Sequence, residues 1–133
     1  MPGSPENSPM TAVRQFIDGF NSNDIEIAQA ACAEENSIID DFPPHEWTGR
    51  AATTRWFRDG ARLGAEFGMS DPSVTLGESP DVIVSDQHAY VVVPVEVRWL
   101  QDGAPAARAG FITLALREGG AGWRISALAW TWN

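Results

Sequence analysis

The chain predicts an α+β fold: helices first, then a meandering, mainly antiparallel sheet, in one domain. Three observations carry this. Apolar residues recur at helical spacing as far as Phe67, they alternate at strand spacing from Pro72 onward, and the breaks between the later runs are hairpin-length. The 133 residues suit one domain, and a 44% hydrophobic composition with six Trp and six Phe supplies a packed core.

The opening MPGSPENSP has three prolines, no basic segment and no apolar run, so residues 1–8 are expected to form a flexible leader and 9–133 the domain. Ser8 followed by Pro9 reads as a helix cap with Pro at the first helical position, and Val13, Phe16, Ile17 and Phe20 then share one face. Asn23 and Glu26 resemble a capping pair for a second short helix, Asp24 to about Ala33. Ser37 to Asp41 reads as a strand. Thr48-Gly49 reads as the start of a third helix, with Ala52, Trp56, Leu63 and Phe67 on one face and its arginines on a solvated flank. Strands are expected at Val74–Leu76, Val82–Val84, Ala89–Leu100, Ala106–Glu118 and Trp123–Trp132. In the longest, Ala89, Val91, Val93, Val95, Val97 and Trp99 share a face that must be buried. Pro94 removes a ladder donor and so belongs at an edge or bulge.

Composition excludes several functions. A net charge of −9, with nine Arg and no Lys, leaves no clustered positive face for nucleic acid and no lysine for Schiff-base chemistry. Cys32 is the only cysteine and lies in AQAACA, which points to a buried structural thiol and excludes an internal disulfide. No run approaches the roughly 18 apolar residues of a membrane span. Cytoplasmic residence is the resulting expectation. The sequence has no Gly-rich nucleotide motif and no metal-ligand cluster, so no cofactor is expected.

The segment from Asn36 to Phe57, NSIIDDFPPHEWTGRAATTRWF, carries the candidate chemistry. A hydrophobic strand delivers the adjacent carboxylates Asp40 and Asp41 into a Pro-Pro loop. Adjacent strand side chains point to opposite faces, so only one acid can enter a cavity, and Ile38 with Asp40 is the natural inward pair. Both acids would alternatively cap the strand and its loop. His45 is either an acid/base partner over a pocket mouth or a surface loop residue. Diverging acids and the lack of a second ligand cluster argue against a metal at Asp40, Asp41 and His45. His88 reads as a turn residue. Glu96 and Arg98 form a polar pair on the face opposite the valines, at the surface or an interface. The tryptophans are core by default, with one or two available to a ligand.

The stretches TAVRQFIDGFNSNDIEIAQAACAEENSIIDDF, WTGRAATTRWF and GWRISALAWTWN resemble the NTF2-like superfamily, in its ketosteroid-isomerase/SnoaL-like branch. The resemblance implies a cone of three N-terminal helices packed in a curved sheet, usually homodimeric, with a cavity at the open end. It places Asp40 on the family's proton-transferring position, where an apolar pocket would raise its pKa. It implies acid-base chemistry on a small hydrophobic carbonyl compound (isomerisation, cyclisation or dehydration), or alternatively a non-catalytic module that binds a small hydrophobic ligand or a protein partner. The family's enolate-binding Tyr is replaced by Phe16, which donates no hydrogen bond, and its later strand Asp falls near Thr113 or Leu114. Thr113, Tyr90 and His45 are the available substitutes. Phe16, Trp47, Trp56, Thr113 and Trp130 are the expected ligand-contacting residues. Whether Trp130 and Trp132, or Ala127, Ala129 and Thr131, face the cone is open.

Overall fold

A computed structural model describes residues 8–133. Three helices and seven strands follow one another as α1 (Pro9–Asn21), α2 (Ile25–Ala30), β1 (Cys32–Ile39), β2 (Glu46–Arg50), α3 (Ala52–Glu66), β3 (Met69–Leu76), β4 (Asp81–Ser85), β5 (His88–Gln101), β6 (Ala104–Gly119) and β7 (Gly122–Trp132). Apart from Ser8, the expected leader lies outside the described residues. Ser8 is extended and Pro9 opens α1, as their order predicts. The second helix is capped instead by Asp24, whose carboxylate accepts from Ile27 N–H, while Asn23 takes a left-handed φ of 56°.

The sheet order is β2-β1-β7-β6-β5-β3, with β4 also pairing β5. All pairings are antiparallel except β1 with β7. The expected inward face of β5 holds: Val91, Val93 and Val95 are buried with Ile112, Leu114 and Leu116 of β6 and Ile125, Leu128 and Trp130 of β7. Val13, Phe16 and Ile17 of α1, with Trp56 of α3, close the same core. Each such side chain contributes about 1.5–3 kcal/mol through loss of apolar contact with water.

Four local expectations give way to long-range pairing. The first strand begins at Cys32, five residues before the apolar run, because Glu35 and Asn36 pair with β2 and Cys32 with Ile125 of β7. The second helix correspondingly ends at Ala30. Thr48 and Gly49 belong to strand β2, paired with Ser37 and Asn36, and the helix starts only after Ala51, whose φ is 57°. Strands β1 and β2 therefore separate α3 from the first two helices, which are the ones that come before the sheet. Phe67 lies just beyond α3 and is exposed, not on its buried face.

Pro94 sits where the outer edge of β5 changes partner: Leu76 of β3 pairs with Val95, and Asp81 of β4 with Val92. Its carbonyl accepts from Gly77 N–H on that side, so the missing donor falls in the gap between two strands and no ladder bond is lost. The Cys32 thiol is buried against the Thr53 hydroxyl, and burial pushes it up to about 11. It is a structural thiol, as its sequence context suggests. Among the described residues no helix is long and apolar enough to cross a membrane.

Candidate functional site

A cavity of about 660 Å³ lies between the concave face of the sheet and the helices. Its wall has an aromatic part, Phe20 of α1, Trp56 and Phe57 of α3, Trp99 of β5, and Trp130 and Trp132 of β7, and a polar part that includes Asn21, Asp41, Asp71 and Arg108. Asp40 enters it from the end of β1. Alternation along β1 buries Ile38 and exposes Ile39, and Asp40 returns to the buried side at 7% exposure. Asp41 is more exposed and pairs with Arg108, yet both acids line the cavity, so the expectation that only one of them enters it does not hold.

The Asp40 carboxylate is bound by two indoles. Trp56 Nε1 donates to Oδ2 at 2.9 Å, and Trp132 Nε1 donates to Oδ1 at 3.3 Å. The Asp41 backbone N–H also donates to Oδ1, at 2.7 Å. Trp130 stacks between the other two indoles, with ring centroids 5.7 Å from Trp56 and 5.5 Å from Trp132. Its own N–H is buried without a partner among the described residues. The face of β7 that looks into the cone is thus the tryptophan face. Ala127, Ala129 and Thr131 lie on the other side, opposite Ala115, Thr113 and Phe111 of β6.

Burial raises the Asp40 pKa above its ordinary value, and the nearby Asp41 charge adds to the rise. The hydrogen bonds from Trp56, Asp41 N–H and Trp132 oppose it. The consequence for stability has a definite sign. Near its ordinary value of about 3.9 the unfolded carboxyl ionises while the folded one stays protonated, so the unfolded state binds fewer protons and stability falls as pH rises. The loss ends once pH passes the raised folded value. Urea unfolding across this range is expected to show wild-type stability declining relative to Asp40→Asn from about pH 4 upward, then running parallel to it. Wild type gaining stability relative to Asp40→Asn as pH rises would mean that hydrogen bonding outweighs burial.

The expected site residues divide. Asp40, Trp56 and Trp130 come together in the cavity. Phe16 is buried behind Trp56, its ring stacked on it at 5.8 Å, and so supports the wall from the core. Trp47 is also core: it packs on Phe42 and donates to Asp59 Oδ2 at 2.8 Å. Thr113 alternates with the buried Ile112 and Leu114 and lies on the outer face of the sheet, as does Tyr90, which pairs across to Ala115. Neither reaches the cavity. His45 is exposed, with Nδ1 3.1 Å from the backbone oxygen of Asp40 rather than its carboxylate. It closes the Pro-Pro loop. Glu96 and Arg98 form an exposed ion pair, as expected.

Sequence reasoning missed Arg108, and it left open whether Trp132 faces the cavity. Arg108 ion-pairs with Asp41 Oδ2 at 2.9 Å and lies over the Trp132 ring. The only sequence signal was the shared parity of Trp130 and Trp132. No group of three or more His, Cys, Asp or Glu side chains among the described residues has the arrangement to hold a metal.

The model of the SnoaL-like domain matches residues 10–128. No curated protein matches the chain. Among solved structures, it is similar to a ketosteroid isomerase-like protein from Erwinia carotovora atroseptica, with 16% identity, 97% of each chain covered and a TM-score of 0.73. An NTF2-like superfamily protein from Salmonella enterica serovar Typhimurium shares 14% identity over 92% of this chain and 86% of its own, with a TM-score of 0.76. The CaMKII hub of S. rosetta shares 15% identity over 100% of both chains, with a TM-score of 0.78. At these identities the likeness is one of fold.

Proposed function

The chain belongs to the SnoaL-like domain family, within the NTF2-like superfamily, and from that premise we propose that its cavity binds a small hydrophobic carbonyl compound on which Asp40 transfers a proton. The observation that carries this reading is one buried carboxylate, of raised pKa, set in the aromatic part of the wall. Desolvation makes Asp40 a better base, and the indole donors oppose that rise by favouring its ionised form.

The oxygens of Asp40 are not equivalent. Oδ1 accepts two hydrogen bonds and Oδ2 one, so Oδ2 retains an acceptor position. Oδ2 removes a proton from the carbon beside the ligand carbonyl, and the C–H electron pair moves into the carbonyl to give an enolate. Return of that proton at another carbon gives isomerisation. Expulsion of a hydroxyl from the next carbon, protonated by Asp40 as it leaves, gives dehydration; attack of the enolate carbon on a second carbonyl, whose oxygen takes the π pair and then the proton from Asp40, gives cyclisation. No redox partner is needed. Screening carbonyl compounds with wild type and Asp40→Asn tests the reading, which requires a compound that both proteins bind and only the wild type converts.

A second reading, a non-catalytic module for a small hydrophobic ligand or a protein partner, is favoured by one placement. Phe16 has no donor for an enolate oxygen, and the substitutes expected to hold one lie elsewhere: Thr113 and Tyr90 on the outer face, His45 on a backbone carbonyl. Ligand binding with equal affinity in wild type and Asp40→Asn, and turnover in neither, would select it.

A homodimer belongs to the same proposal. Ile83, Tyr90 and Phe111 are exposed on the outer face of the sheet at 62%, 49% and 41%, beside the small Ala115, Ala127 and Ala129. A flat apolar patch of this kind suits a second copy. Phe111→Arg is expected to yield a monomer in light scattering, with the cavity unaffected; an unchanged mass would place the contact elsewhere. Cytoplasmic residence completes the proposal.

A further inference from the structure

One side chain touches both groups that donate to Asp40 Oδ1. Arg108, on β6, has Nη1 2.9 Å from Asp41 Oδ2 and Cζ 5.5 Å from the centre of the Trp132 ring. Asp41 supplies the backbone N–H, and Trp132 the indole N–H, that Oδ1 accepts at 2.7 and 3.3 Å. We propose that Arg108 is a positioning residue for the Asp40 carboxylate: it braces Asp41 and Trp132 so that Oδ1 stays doubly hydrogen-bonded and Oδ2 keeps the unused acceptor position.

The chemistry of the guanidinium suits this task. Its planar edge pairs with a carboxylate while its face lies on an indole, which an ammonium cannot do. Asp41 follows the end of β1 and its side chain is half-exposed, so without Arg108 it is free to turn. Asp41 is a like charge beside Asp40, and it is this carboxylate that Arg108 ion-pairs. The other groups around Asp40 do not replace it. Asp71 of β3 is acidic, Asp59 of α3 is engaged with Trp47 and Arg62, His45 meets only the backbone carbonyl, and β7 contributes uncharged indoles. This role concerns the carboxylate itself and stands or falls independently of any turnover.

The test is NMR titration of carboxyl-labelled protein, with the Trp132 indole N–H followed in parallel. Arg108→Gln is expected to move the Asp40 midpoint upward and to shift the Trp132 indole resonance toward that of a free N–H. Asp41→Asn is expected to move the midpoint downward by removing the like charge, and Arg108→Gln added to it should then raise the midpoint by less than it does alone. Arg108→Lys, which keeps the charge and loses the planar contact, should still release the Trp132 resonance. Equal shifts in both backgrounds would reduce Arg108 to a distant charge and overturn the proposal. So would an unmoved Trp132 resonance in the Gln and Lys variants.

Discussion

Asp40→Asn is expected to lower turnover of a carbonyl substrate by about 10²–10⁴-fold, the usual contribution of a positioned general base. The substitution is nearly isosteric, so the cavity keeps its shape and the ligand its apolar contacts. Affinity is therefore expected to change little while the chemical step fails. Asparagine offers one carbonyl oxygen where the aspartate offered two, so its amide can satisfy only one of Trp56 and Trp132. Its NH₂ must face the other indole N–H. A modest local cost follows, offset by no longer burying an ionised group. Steady-state rates on both proteins, with binding followed by indole fluorescence, separate the two effects. Retention of full turnover in Asp40→Asn would remove Asp40 from the mechanism.

Trp56→Ala is expected to produce the largest loss of stability, about 3–5 kcal/mol in urea unfolding, as for other buried aromatics cut to alanine. Trp56 is 5% exposed and holds four rings at once: Phe16, Phe20, Phe57 and Trp130. Truncation leaves a cavity that a helix anchored on one side and a sheet on the other cannot collapse to fill. It also removes the only donor to Asp40 Oδ2 among the described residues, so the carboxyl pKa is expected to rise. Trp56→Phe separates the two roles. It should recover most of the stability and leave the pKa raised. If Phe costs as much as Ala, the N–H bond to Asp40 outweighs the packing.

What the sequence makes legible here is what local periodicity encodes. The α1 face of Val13, Phe16 and Ile17 and the β5 face of Val91, Val93 and Val95 follow from spacing alone, and so does the inward turn of Asp40 beside Ile38. Strand β2 is not legible, because Thr48 and Gly49 are strand residues only through their partners Ser37 and Asn36. Its helix-like reading is a fair account of Thr-Gly before Arg-Ala-Ala, overridden by pairing. The donors to Asp40 are hidden for the same reason. Trp132 reaches it from 92 residues away, and Arg108 reaches Asp41 across 67. Thr113 shows the converse failure. Its hydroxyl chemistry suited the cavity, but parity with Ile112 and Leu114 puts it on the far side of the sheet.

The place of β7 has a consequence for how the molecule assembles. It is inserted between β1 and β6, so within the sheet it alone hydrogen-bonds the β1–β2 hairpin to the strands β3 to β6. Neither piece contains a site. Asp40 is on the first, Arg108 on the second, and Trp130 and Trp132 arrive with the strand that joins them. Joining them closes a long loop, which is a slow, non-local step. Completion of the sheet and the appearance of a binding-competent carboxylate are one event. A ligand of this cavity would accordingly act as a pharmacological chaperone of the last step, populating only the finished sheet and none of the species that precede it.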